Sequence, residues 1–404
     1  MIEVFKAFLI LGLTSFGGPV AHLGYFREEF VVKRKWLTDA EYADTVALCQ
    51  FLPGPASSQV GMALGWRRAG LPGMLAAFVA FTAPSAIALG VAAWAIATAG
   101  SSIDLTAPIA GLKAAAVAVV AIALWGMAKN LTTTRVTTAI ALLALAVVLL
   151  APAGMGVWAQ IAAIVVGGLV GWLTIRGDRS DRSDRSEEGN EKGIVDESSV
   201  RTIPYSLPRW AQALAATVFV VGLLGAMTWW AGTWNGIAAG WDTYLRAGAL
   251  VFGGGHVVLP LLQSGLVPEH LDADHFLAGY GLAQAVPGPL FTFASYLGVS
   301  TNGALGGLIA TLAIFLPSLL LLLAVLPLWS KVAALSSARG MVAGANAAVV
   351  GILGAAFYDP VWTHGVVSPG TFVVTCLALV ALTQFKVPAW AVVLGAGALG
   401  WIVF

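Results

Sequence analysis

The chain has 404 residues, of which 59% are hydrophobic and only 10% charged, with a mean hydropathy of +0.87 and a formal net charge of +1. So apolar a composition, with many runs long enough for a ~30 Å hydrocarbon core, excludes a soluble globular domain and specifies an all-α, polytopic membrane protein. The net charge gives no pointer to nucleic acid, and the sidedness of the charges says more than their sum.

Residues 2–14 read as a short apolar helix that stops at Ser15-Phe16-Gly17-Gly18-Pro19 and resumes to about Phe30. Two half-helices or one kinked span both fit this stretch. No basic segment precedes the first apolar run, so it reads as retained rather than as a cleaved signal. Loop 27–36 carries Arg27, Lys33, Arg34 and Lys35, and Thr38-Asp39-Ala40-Glu41 is an N-cap with a glutamate three residues on, which starts a helix. That helix runs into Gln50-Phe51-Leu52-Pro53-Gly54-Pro55, where two prolines around a glycine forbid continuation. Its sequel ends near Gly65, at Trp66-Arg67-Arg68.

Segments 72–99, 105–128, 135–151 and 156–175 are each long enough to span and complete an N-terminal repeat, residues 1–175. At Arg176 the composition changes to Asp-Arg-Ser units at 178–186, followed by Glu187, Glu188 and Glu191. Residues 176–209 therefore read as a solvated, disordered cytoplasmic linker. One additional spanning helix follows within 210–235, at about 211–231. Residues 236–404 then replay the first half. Phe252-Gly253-Gly254 answers Phe16-Gly17-Gly18, Gln284-Ala285-Val286-Pro287-Gly288-Pro289 answers the segment from Gln50, and Pro317-Ser318 answers Pro84-Ser85. Gly111-Leu112-Lys113 has its counterpart in Gly344-Ala345-Asn346 at nearly the same offset.

Basic residues mark the cytoplasmic side, and equivalent loops of the two halves reverse in sign. Loops 27–36 and 66–70 are basic, and their counterparts 263–275 and 299–304 have no Lys or Arg. Conversely, loop 100–104 has no Lys or Arg but its partner contains Lys331 and Arg339, and the partner of loop 152–155 contains Lys386. The second repeat is expected to be inverted. If the broken segments are re-entrant hairpins, four spans per half plus the additional helix fit every basic loop. Counting them as crossings gives six plus one plus six, also inverted, but leaves loop 27–36 outside.

Inverted repeats with broken helices place a substrate site near the midplane. Helix N-termini beyond Gly18, Gly54, Gly254 and Gly288 offer N–H groups and positive dipole ends to an anion, and glycine lets the backbone approach it. Gln50 and Gln284 sit one turn before each break and offer neutral amides. The expected substrate-binding set is Phe16, Gly17, Gly18, Pro19, Gln50, Pro53, Gly54, Pro55 and Lys113. Its second-half members are Phe252, Gly253, Gly254, Gly255, His256, Gln284, Pro287, Gly288, Pro289 and Asn346. Lys113 belongs to this set because a cation deep in a span either pairs across helices or serves an anion. Asp242, Arg246 and His22, also near the Phe-Gly-Gly breaks, fit ordinary interfacial positions as well.

Ser-Phe-Gly-Gly-Pro, the basic loop, Gln-Phe-Leu-Pro-Gly-Pro, Phe-Gly-Gly-Gly-His and Gln-Ala-Val-Pro-Gly-Pro together resemble the chromate ion transporter family in its long, two-domain form. The resemblance covers nearly the whole chain. It implies a multi-pass carrier of the bacterial inner membrane that exports chromate, an oxyanion similar to sulfate in shape and charge. The second half departs from the first at Gly255 for Pro19 and Asn346 for Lys113. Sulfate-type uptake and an anion channel fit the same site and stay open. An enzyme does not fit: the sequence has no Cys cluster, haem motif, nucleotide fingerprint or buried acid–base set, so no cofactor or metal is expected. Cys49 and Cys376 read as small packing residues. Lipid and the oxyanion are the expected partners, nucleic acid is not, and the pattern leaves room for a homodimer.

Overall fold

The structure is a computed structural model that describes residues 1–99, 106–152, 155–175, 207–228, 240–252, 255–328 and 336–403. The Asp-Arg-Ser stretch, Gly253, Gly254 and Lys331 lie outside the described residues. Regular structure in the described residues is helical throughout, and six helices are long and apolar enough to cross a membrane. Three shorter apolar helices, Arg135–Leu149, Pro369–Thr383 and Ala389–Val403, accompany them.

The first hundred residues fold as consecutive reversals. Helix α1 (Ile2–Thr14) stops at Ser15, and α2 (Gly18–Phe26) continues as a π-helical segment, Arg27–Lys33. The chain comes back on itself, because Trp36 Nε1 donates to Glu3 Oε1 at 3.2 Å and Arg34 lies 3.9 Å from the same carboxylate. Aromatic packing holds the reversal: Phe8 stacks on Phe30 at 4.8 Å, Phe30 on Trp36 at 4.6 Å, and Phe26 meets Phe81 edge-on at 5.2 Å. Such contacts matter here because lipid supplies little hydrophobic drive between helices, and packing must replace it.

Helix α3 (Asp39–Phe51) starts with the expected capping box, Thr38 and Glu41 exchanging backbone bonds, and ends before Pro53-Gly54-Pro55. Helix α4 (Ala56–Ala99) leads away from the break, and its Arg67 pairs with Glu41. A straight helix would hold residues 41 and 67 about 39 Å apart, so the break folds the chain into a hairpin. A second reversal inside α4, at Ala69 and Gly70 (φ 65°, ψ −158°), brings Gly65 against the backbone of Gly73. The second half repeats this at Asn302 and Gly303 (φ 69°, ψ −167°), where Gly298 meets Gly306. Left-handed backbone at both sites explains the glycines.

Helices α5 (Thr106–Leu131), α6 (Arg135–Leu149), α7 (Gly156–Thr174) and α8 (Arg209–Met227) follow. The last is apolar and long enough to cross a membrane. The second half comprises α9 (Trp241–Leu250), α10 (Val258–Leu266), α11 (Ala273–Ala285), α12 (Phe293–Val325), α13 (Ser336–Ala356), α14 (Pro369–Thr383) and α15 (Ala389–Val403). The halves interlock: α5 packs on α14 and α15, and the matching helix α13 packs on α6 and α7. Small residues permit the close approach, Gly111 lying on the Ala396 carbonyl and Gly344 on that of Gly167. Cys49 is a buried packing residue as expected, whereas Cys376 is exposed on the outer surface of α14.

Candidate functional site

The four breaks meet in two crossed pairs. Gly54 N–H donates to the Val251 carbonyl at 2.7 Å, and Gly288 N–H donates to the Ser15 carbonyl at 2.9 Å. Each Pro-Gly-Pro break of one half is thus tied to the Phe-Gly-Gly break of the other. Gly54 and Gly288 have φ of 119° and 105°, angles that other residues rarely adopt. A Cβ on Gly54 would collide with Ser318 Oγ, and one on Gly288 would stand 2.7 Å from Ser85 Oγ. The Pro-Ser repeats legible in the sequence therefore also close across the halves, each serine behind the other half's glycine.

Beside the Gly288–Ser15 crossing lies a cavity of about 220 Å³. Its polar wall consists of Gly17, Gly18, His256, Gln284 and Gly288, and Val119 and Ile122 of α5 contribute apolar wall. No Lys, Arg, Asp or Glu is among its described lining residues. Gln284 Nε2 is buried in the protein without a hydrogen-bond partner among the described residues. His256 Nδ1 lies 2.6 Å from Tyr280 Oη, which fixes the ring between α10's entry and α11. Burial without a partner costs an amide about 1–3 kcal/mol, so the Gln284 donor stands out in this wall.

The remaining expected residues distribute unevenly. Phe16 packs on Trp390 with ring centroids 5.8 Å apart, Pro19 touches Gly255, and Phe252 packs on the main core. The Pro53 carbonyl accepts from Gln59 Nε2 at 2.7 Å, the Pro55 carbonyl from Gln59 N–H, and the Pro289 carbonyl from Thr292. Pro287 is half-buried in its break. Gln50 is exposed and does not line the cavity, so the two glutamines that match in sequence differ in setting. Asn346 Oδ1 is buried without a hydrogen-bond partner among the described residues, and Asn346 does not line the cavity. Lys113 is buried too, but its Nζ is 2.7 Å from Asp274 Oδ1, an ion pair between α5 and the start of α11. Asp242 and Arg246 form a buried pair at 2.8 Å on α9.

Sequence reasoning missed the polar residues around the crossings, Ser57, Gln59, Ser85, Ser318 and Tyr280, and it also missed Asp274, the partner of Lys113. Gln59, wholly buried, reaches Ser318 Oγ at 3.3 Å as well as Pro53. The Pro84-Ser85 and Pro317-Ser318 repeats were the available signal for two of them; nothing periodic marks Gln59, which has Phe293 as its counterpart.

Comparison with known proteins bears directly on this arrangement. The family model described as "Chromate transporter" matches residues 2–172 and 238–401. The chain is 27% identical to the chromate transport protein of Cupriavidus metallidurans over 86% of this chain and 79% of that protein. It is 26% identical to the chromate transport protein of Pseudomonas aeruginosa over 100% of this chain and 92% of that one. A probable chromate transport protein of Synechococcus elongatus matches at 26% over 81% of this chain and 76% of its own length. No solved structure matches. With a family match that runs through both sets of helix breaks, this multi-pass membrane protein belongs to the chromate transporter family.

Proposed function

We propose that the protein is a secondary carrier that exports chromate across the bacterial inner membrane, taking the dianion into the cavity beside the crossed breaks. The observation that carries this reading is the cavity wall itself, where Gly17, Gly18, Gln284 and Gly288 from both halves converge with an unpartnered amide donor among them. A wall of neutral donors suits an oxyanion that must also leave, since it binds without a fixed opposite charge to hold it back. At about 30 Å³ per water, the cavity has room for roughly seven waters, enough for a tetrahedral oxyanion with part of its hydration shell. The Gly54 and Gly288 N–H groups are engaged in the crossings, so Gln284, His256 and the Gly17-Gly18 backbone are the groups this reading assigns to the anion. No covalent chemistry is involved.

The reading includes re-entrant hairpins and an inverted second repeat. Glu3, Arg34, Arg67, Arg68 and Glu41 cluster at the mouths of the first two hairpins, while Asp274 at the mouth of the fourth pairs with Lys113. The stretch 71–99, which leaves the first of these clusters, is about 42 Å of helix, more than a hydrocarbon core. Opposed hairpins would let each crossing open toward its own side, which is what alternating access requires.

Radiolabelled chromate uptake into inverted vesicles tests the proposal. Export predicts saturable uptake into inverted vesicles. Gln284→Ala should weaken apparent affinity by about 1.5–3 kcal/mol, the worth of a hydrogen bond to a charged group. Gly288→Val, forced out of its left-handed backbone against Ser85, should abolish flux at normal membrane level. Loading only of right-side-out vesicles would reverse the direction, and preference for sulfate would change the substrate. Normal flux in both variants would remove the site.

A further inference from the structure

His22 does not line the cavity, yet it is fully buried and hydrogen-bonded to two of the breaks. Its Nε2 lies 3.1 Å from the Ser15 carbonyl and its Nδ1 lies 3.4 Å from Ser57 Oγ. A carbonyl can only accept, so Nε2 carries the proton, and in the neutral ring Nδ1 is left to accept from the Ser57 hydroxyl. The imidazole edge also rests on Phe81, with ring centroids 5.4 Å apart, which leaves it little freedom to rotate.

Two details make this more than a satisfied buried histidine. First, the bond from His22 to Ser15 closes a loop that contains Gly17 and Gly18, whose φ of 102° and 77° belong to the left-handed region. Glycines move freely between backbone basins unless something fixes them, and here they form part of the cavity wall. Second, the same Ser15 carbonyl accepts from the N–H of Gly288, which lines the cavity from the other half of the chain. Three cavity-lining backbone positions thus depend on one oxygen, and His22 is the side chain that holds it. Through Ser57, in the first turn of α4, the ring also links this oxygen to the Pro53-Gly54-Pro55 break.

We infer that His22 is a positioning residue for oxyanion binding: it braces the Ser15 carbonyl from behind and so sets the spacing of Gly17, Gly18 and Gly288 around the anion. The inference rests on the cavity being the oxyanion site. Its consequence is specific. Loss of the brace should loosen the wall and lower affinity, while the helices that carry the cycle keep their packing.

Two near-isosteric variants separate the ring's two bonds. In His22→Gln the amide nitrogen falls close to the Nε2 position and can still donate to Ser15. In His22→Asn it falls close to Nδ1, can reach only Ser57, and leaves the Ser15 carbonyl without its brace. With purified variants in proteoliposomes and radiolabelled chromate, His22→Asn should raise apparent KM by about tenfold with maximal rate per folded molecule within about twofold, and His22→Gln should stay near wild type. An unchanged KM in His22→Asn would overturn the inference, as would equal impairment in both variants. So would a fall in yield or melting temperature of His22→Asn with wild-type KM in its folded fraction, since that makes the bond structural only. Gln284→Ala run in parallel keeps the two readings apart: if it too leaves KM unchanged, the cavity is not the site, and if it alone raises KM, only His22 is wrongly assigned.

Discussion

Lys113 shows at the scale of a single residue what a sequence can and cannot say. Its depth in an apolar span marked it as a charge needing a partner, and the alternatives were a substrate anion or a carboxylate on another helix. The structure supplies the carboxylate, Asp274, with His364 Nδ1 3.9 Å from the same oxygen. Those three residues are far apart in sequence and come from both halves, so no periodicity could have joined them. The pair is lopsided, because the Lys113 side chain is 7% exposed and that of Asp274 52%. Removing the exposed partner strands a buried cation, whereas removing the lysine leaves a carboxylate that water can solvate. Asp274→Asn is therefore predicted to destabilise by about 1–3 kcal/mol and Lys113→Gln by less, with a double variant no worse than Asp274→Asn alone. Melting curves of the four proteins in detergent check this as a double-mutant cycle. A larger loss from Lys113→Gln would contradict the burial argument, and a lowered chromate affinity in that variant would return Lys113 to the site.

The hairpin formed by α3 and the first part of α4 was mostly legible as an element. Thr38 and Glu41 announced the helix start, Pro53-Gly54-Pro55 its break, and Trp66-Arg67-Arg68 its end, since each is a local constraint on backbone or capping. What closes the hairpin was not legible, because the Arg67–Glu41 pair and the bond from Tyr42 Oη to the Leu23 carbonyl at 2.6 Å depend on how the pieces pack. The candidate site divides in the same way. Its glycines and Gln284 declared themselves through backbone rules and repetition, and His22 and Gln59 did not, because buried histidines and glutamines carry no local signature. Glu41, at the hairpin mouth outside the spanning helices, allows a test of the closure. Burial raises its carboxyl, but the Thr38 N–H and the Arg67 charge outweigh burial and hold it below the usual carboxylate range. A carboxylate depressed in the folded state adds stability above its unfolded value and loses it as pH falls through the folded one. The melting temperature of the wild type should thus exceed that of Glu41→Gln near neutrality, and the gap should close as pH falls to about 4 and below. A gap that stays constant over this range would mean the pair does not hold the hairpin.

At the scale of the molecule the charges predict which face each hairpin enters, a prediction with two opposite outcomes. Arg27, Lys33, Arg34 and Lys35 share a face with Arg67 and Arg68, since Glu3 touches both Arg34 and Arg68 and Trp36 packs beneath their guanidinium groups at 5.8 and 5.3 Å. By the retention of basic loops, that face is predicted to be cytoplasmic. Asp274, with His364 beside it, pairs with Lys113 of α5, and no Lys or Arg occurs at 263–275. In a background with Cys49 and Cys376 replaced, cysteines at Lys33 and Lys129 should react with an impermeant maleimide only in inverted vesicles. Cysteines at Glu269 and His364 should react only in right-side-out vesicles. All four side chains are exposed, so silence at any of them reflects the membrane rather than burial. The six-plus-one-plus-six arrangement places residue 33 outside, so labelling of that cysteine from outside would sink the hairpin topology. Labelling of residues 33 and 269 from the same side would sink the inversion of the halves, and with it the account of alternating access at the crossed breaks.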